Sequence, residues 1–81
     1  MNKLMVGTFE DTVLRLKEHF IVYTDKDLLE ELGISRHTFA VWRRKKAWSG
    51  KSAAKICREY GFNLDWFYKG KGEKFMSKRV S

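Results

Sequence analysis

Two short segments with helical apolar spacing are separated by only Gly33 and Ile34 before Ser35 offers a new helix cap, and this break constrains the fold most. A connection that short lets the chain turn but not extend, so the flanking helices must meet sharply and clasp each other. Thr24, with Asp27 three residues on, opens the first of them. Leu28, Leu29 and Leu32 form its inner face and Gly33 supplies the left-handed turn that ends it, which predicts a helix over 25–32. Ser35 caps the second, which runs to Lys45 with Phe39 and Trp42 on one face.

The rest of the chain keeps the same 3.6-residue period. Thr8 can cap a helix over 9–20 whose apolar positions are Phe9, Val13, Leu16 and Phe20, with Asp11 suited to its N-terminus. A helix over Gly50–Tyr60 should bury Ala53, Ile56, Cys57 and Tyr60 and end at Gly61. Asn63 opens a last short one over Leu64–Tyr68, which stops at Gly70. Proline is absent and no stretch alternates apolar with polar residues, so the predicted class is all-α, a compact five-helix domain. In 81 residues the core must come from few large side chains, and twelve aromatics can supply it. Lys69–Ser81 is rich in Gly, Lys and Ser and reads as a loose basic tail. We therefore draw the domain at 1–70, with 71–81 as a flexible tail or the start of a linker.

Several function classes fall away on composition. No apolar run is longer than the four residues of Phe20–Tyr23, far short of the ~20 residues that span a bilayer, and Glu10 and Asp11 interrupt any secretory pattern. A cytoplasmic protein is expected. Cys57 is the single cysteine and only His19 and His37 stand beside it, so neither an internal disulfide nor a structural metal is expected. No paired carboxylates, phosphate loop or catalytic triad occurs, and the chain is too short for a substrate cleft. We expect no enzyme, no cofactor and no small-molecule substrate.

Charge is segregated. Residues 1–31 carry four positive and seven negative side chains, whereas residues 32–81 carry thirteen positive ones against Glu59, Asp65 and Glu73. A net charge of +7 concentrated in one half of a small domain points to a polyanionic partner. Helix, glycine turn and capped helix over 25–45 form a helix-turn-helix, whose second helix enters the DNA major groove. With Phe39 and Trp42 inside, the outer face carries Arg36, His37, Ala40, Val41 and Arg44. Arg36 and His37 stand at the end that reaches base edges, and Ala40 and Val41 offer apolar surface to thymine methyls. Arg43, Arg44, Lys45 and Lys46 close the helix; one or two bases would satisfy its dipole, so four, followed by Lys51 and Lys55, read as phosphate contacts. Lys26 and Ser49, at the starts of two other helices, add backbone N–H groups for phosphate.

The run Asp27–Arg36, then Trp42-Arg43-Arg44-Lys45, Gly61–Phe67 and Gly70–Glu73 resemble the N-terminal DNA-binding domain of bacteriophage CI-type repressors. The likeness covers residues 25–74, and its most distinctive part is Leu64-Asp65-Trp66-Phe67 followed by Gly70 and Gly72. It implies a five-helix, lambda-repressor-like domain that binds double-stranded operator DNA as a homodimer and regulates transcription, in relatives with a further C-terminal region. It also implies DNA contacts by Ser35, Arg36, His37, Ala40 and Arg44. Leu29 stands where the family usually has Ala and is expected to part or rotate the two helices; Lys46 replaces the usual Gly and Ser49 the usual Pro.

Trp42 and Trp66 read as core anchors, Cys57 as a small packed hydrophobe, His19 as a favourable helix end and Asp65 as a cap or dipole partner. For Trp48, packing over the core and contact with the DNA backbone both stay open. Two rival functions remain: a protein-interaction module, antitoxin-like or adaptor, whose basic face meets an acidic partner, and RNA binding by residues 69–81.

Overall fold

The computed structural model describes residues 8–75 and contains five helices: α1 (Phe9–Phe20), α2 (Asp25–Leu32), α3 (Arg36–Lys45), α4 (Gly50–Tyr60) and α5 (Leu64–Lys69). Each begins where a side chain replaces a missing backbone partner. The oxygens of Thr8, Thr24, Ser35, Ser49 and Asn63 accept from the backbone N–H groups of Asp11, Asp27, Thr38, Ser52 and Asp65. α5 runs one residue past the expected Tyr68. Three helices end on glycine in the left-handed region, but α1 ends on Ile21 (φ 57°) and α3 on Lys46 (φ 60°).

α5 sits against both α1 and α4, while α2 packs on α1 and on α3. Between them Leu16, Leu28, Phe62 and Phe67 are withdrawn entirely from solvent. The buried Thr12 hydroxyl donates to the Phe67 carbonyl (2.8 Å), and Arg15 donates to the same carbonyl (2.7 Å) and to Asp11 (2.8 Å). These bonds occupy a carbonyl near the C-terminus of α5, where helices leave acceptors unpaired.

The structure settles one open alternative and changes three expectations. Trp48 lies in the core, with its ring between those of Phe9 (4.9 Å), Trp42 (5.4 Å) and Phe67 (5.1 Å), so DNA-backbone contact by this side chain is ruled out by burial. His19 does more than end α1: it meets Phe20, Phe62 and Phe75 edge-on, and its Nδ1 lies 3.4 Å from Lys74 Nζ. The chain from Lys71 to Phe75, expected to be loose, folds back along the body. Asn63 donates to the Lys74 carbonyl (2.8 Å), and Phe75 stacks on Phe62. Apolar burial of Phe62 is the physical reason, since Phe75 covers one side of it. The remainder of the expected tail, 76–81, lies outside the described residues. Tyr60 is half-buried because its hydroxyl reaches out to donate to the Glu31 carbonyl (3.1 Å).

Candidate nucleic-acid interface

The phase of α3 is set from inside. Phe39 and Trp42 are buried, and Phe39 packs against Phe9 of α1 at 5.4 Å between ring centroids. With that line held inward, Arg36, His37, Ala40 and Arg44 are left exposed on the outer surface. Val41, expected beside them, is half-buried and presents only part of its side chain. Ser35 is exposed, but its hydroxyl accepts from the Thr38 N–H (3.1 Å) and donates to the Thr38 hydroxyl (2.9 Å). Capping therefore already occupies this side chain.

A depression of about 370 Å³ runs between the N-terminus of α2 and α3, lined by Lys26, Leu29, Arg36, Ala40 and Arg44 among others. Leu29 forms its floor and is itself almost fully buried. Leu29, the residue expected to part or rotate the two helices, points inward and shares the buried core with Phe39. A second depression of about 460 Å³ continues past Lys26 and Arg36 to Gly33, Ile34 and Ser35.

Of the residues expected at phosphate, Lys45, Lys46 and Lys51 are exposed. Lys26 and Lys55 are exposed too, each with one loose ion pair along its own helix, to Glu30 at 3.8 Å and to Glu59 at 3.6 Å. Such pairs are worth little and leave the ammonium groups accessible. Ser49 is half-buried and caps α4, so what it offers a ligand is the ordered start of that helix.

Arg43 departs from that set. It makes a forked pair with Glu10 of α1 (2.6 and 3.0 Å) and donates to Asp25 of α2 (2.9 Å). Its guanidinium also lies over the Phe39 ring, 4.8 Å from the centroid. Lys17 completes the cluster with a 2.8 Å bond to Asp25. The bonds from Arg43 and Lys17 hold the Asp25 carboxyl below its ordinary range, and the Arg43 charge is reinforced first by Glu10 and then by Asp25. A guanidinium so occupied is an internal tie between three helices rather than a free phosphate ligand. The sequence signal for it was indirect: Glu10 and Asp25 each stand at a helix start, where an acid has a sufficient reason of its own.

No helix among the described residues is long and apolar enough to cross a membrane, and no group of three or more His, Cys, Asp or Glu among them could hold a metal ion. The Cys57 thiol, pushed up to about 11 by burial, is a packed side chain rather than a nucleophile. No curated protein and no solved structure matches the chain. The model of the bacteriophage CI repressor helix-turn-helix domain matches it over residues 11–75, all five helices apart from the first two residues of α1. The chain therefore belongs to the bacteriophage CI repressor helix-turn-helix domain family, DNA-binding domains of repressor type.

Proposed function

We propose that this domain reads a specific duplex operator by laying α3 in the major groove, and that it does so as a homodimer on an inverted repeat. The observation that carries this reading is the outer face of α3. Arg36, His37, Ala40 and Arg44 stand exposed together, on a helix whose buried side carries Phe39 and Trp42. In this arrangement Arg36 and Arg44 grip guanine edges, each able to form two hydrogen bonds, and His37 adds a further polar contact. Ala40 and the accessible part of Val41 meet thymine methyls.

Lys26, Lys45, Lys46, Lys51 and Lys55 hold phosphates, and the start of α4 behind Ser49 adds backbone N–H groups. These contacts supply affinity and register without reading sequence. Dimerisation lets two such helices enter successive major grooves on one face of the duplex. The setting in which this happens is the bacterial cytosol or nucleoid.

The test is selection of bound duplexes from a random pool at about 150 mM salt, where purely phosphate-driven binding is weak. Enrichment of an inverted repeat with half-sites about 10 base pairs or a multiple apart is the expected result. On the selected duplex, Arg36→Ala should relax one base position, while Lys45→Ala should weaken every sequence alike and reduce the salt slope by about 0.9. An unchanged pool would overturn the reading and favour an acidic protein as the partner of the basic face.

A further inference from the structure

We propose that Glu10 and Asp25 govern base selectivity without touching DNA, by setting the roll of α3 through Arg43. This rests on the reading of α3 as the recognition helix. The geometry has three parts. First, the fully buried residues of α3 are just Phe39 and Trp42, three residues apart, with Thr38 and Val41 half-buried beside them. So short a buried line leaves the roll of the helix to be fixed by ties on its flank. Second, Arg43 projects on the flank that also carries Arg36 and Ala40, at helical spacings of three, four and seven residues, and all three line the same depression. A change of roll would therefore swing Arg36 and Ala40 toward or away from the groove. Third, Arg43 is tied on two sides at once. Glu10 accepts through both carboxylate oxygens, which fixes the plane of the guanidinium, and Asp25 accepts from a third nitrogen and is itself held by Lys17. The tether runs from α3 to the first turn of α1 and the first residue of α2, so it sets the angle between all three helices.

The acids' position makes the inference sharp. Asp25 lines the depression with Lys26, Arg36 and Arg44, and its side chain is 39% exposed, while that of Glu10 is 50% exposed. An acid near a phosphate-binding face ordinarily repels DNA, and its removal strengthens binding to every duplex. As members of a positioning clasp these two must do the reverse on the preferred sequence. Arg43, Glu10 and Asp25 are positioning residues in this scheme, distinct from the side chains that meet DNA.

The test compares the wild type with Glu10→Gln, Asp25→Asn and Arg43→Met, on the selected operator and on a scrambled duplex of equal length, over a range of salt. In the two acid variants, operator binding should weaken about tenfold while scrambled binding holds or tightens. Arg43→Met should lose operator binding similarly with no change in salt slope. Partial unfolding lowers both affinities together and leaves their ratio unchanged, so the ratio separates positioning from stability. The inference is overturned if the acid variants tighten both duplexes, if they weaken both in proportion, or if Arg43→Met lowers the salt slope by about 0.9, as loss of a phosphate contact would. A wild type that prefers no duplex would sink the DNA-reading proposal and this one with it; a wild type that prefers one, with variants that keep the preference, would sink this one alone.

Discussion

The body formed by α1, α4 and α5 and the pair formed by α2 and α3, which we propose as the reading pair, are held by different forces. In the body Leu16, Phe62 and Phe67 have no solvent exposure, and the polar ties that matter, from Thr12 and Arg15 to the Phe67 carbonyl, lie against that apolar interior. The reading pair has its own buried residues, Leu28, Leu29, Phe39 and Trp42, but its angle to the body is also tied by the Glu10–Arg43–Asp25–Lys17 cluster near the surface. Trp48 is the wall they share, touching Phe67 on one side and Phe39 and Trp42 on the other. Apolar burial is almost indifferent to salt and pH, whereas exposed ion pairs are not. Removing a charge from that cluster should therefore alter reading before it alters folding.

Cutting into the body should have the largest effect. Phe62→Ala removes a ring with no exposure that meets His19, Phe20, Tyr60, Trp66 and Phe75, and should cost about 3–5 kcal/mol. Chemical denaturation followed through the tryptophan fluorescence measures it. A loss below about 1 kcal/mol would mean that the body is not the stable half.

Glycine substitutions compare the two regions more finely. Gly33, which ends α2, and Gly70, which ends α5, have nearly the same backbone, φ 71° and 72°. Alanine at either position carries the left-handed penalty of about 1–2 kcal/mol. A methyl at Gly33 meets nothing within 4 Å, whereas one at Gly70 would lie 2.8 Å from Arg15 Nη1. Arg15 can move aside only by giving up bonds to Asp11, Thr12 or the Phe67 carbonyl. Gly70→Ala should therefore cost about 1–3 kcal/mol more than Gly33→Ala, the worth of charge-assisted bonds. Equal losses in the two denaturation midpoints would show that the Arg15 tie adds nothing.

How much of this was readable in the sequence follows the same division. Four helix starts were legible in their caps, because Thr8, Thr24, Ser35 and Asn63 act on N–H groups two or three residues away, a local signal, while α4 was placed by its apolar spacing and its cap, Ser49, was not read as one. The outer face of α3 was legible for the same reason, since spacing alone separates Arg36 and Arg44 from Phe39 and Trp42. What could not be read were partners chosen by tertiary packing. Arg43 finds Glu10 from 33 residues away, and His19 meets Lys74 across 55. Trp48 sits in a connection with no periodicity to assign it, so only the fold decides between interior and surface. The end of α1 was placed correctly at Phe20, yet the residue that ends it, Ile21, carries none of the usual glycine signal.

That residue joins the two regions and gives a smaller prediction of opposite sign. Ile21 is β-branched, holds φ 57° and is 76% exposed, so its conformational strain is offset by little packing. Ile21→Gly relieves the strain but loosens the unfolded chain, and should stabilise the domain by about 0.5–1 kcal/mol. A rise in the denaturation midpoint with unchanged duplex preference would place the joint outside the reading machinery; a fall would show that Ile21 packs more tightly in solution than its exposure allows.

The smallest effect is a separation in pH. His19 lies in the body with its pKa lowered, first by burial among aromatic rings and then by the Lys74 charge. The folded chain therefore takes up the proton less readily than the unfolded one. The resulting stabilisation is present above the ordinary histidine value of 6.5 and is lost as pH falls below it. Asp25 in the reading cluster is also lowered, from 3.8, by hydrogen bonds from Arg43 and Lys17; its contribution is present above that value and is lost only as pH falls through the depressed one. Between about pH 7 and 5 the body should weaken while the cluster keeps its charges. Denaturation midpoints in that window should fall in the wild type and fall less in His19→Gln, because the substitute cannot take up a proton. If His19→Gln kept the whole slope, the aromatic pocket would not be its source. If the midpoints stayed level and operator preference was lost instead, the division of labour between the two regions would be the reverse of the one drawn from their packing.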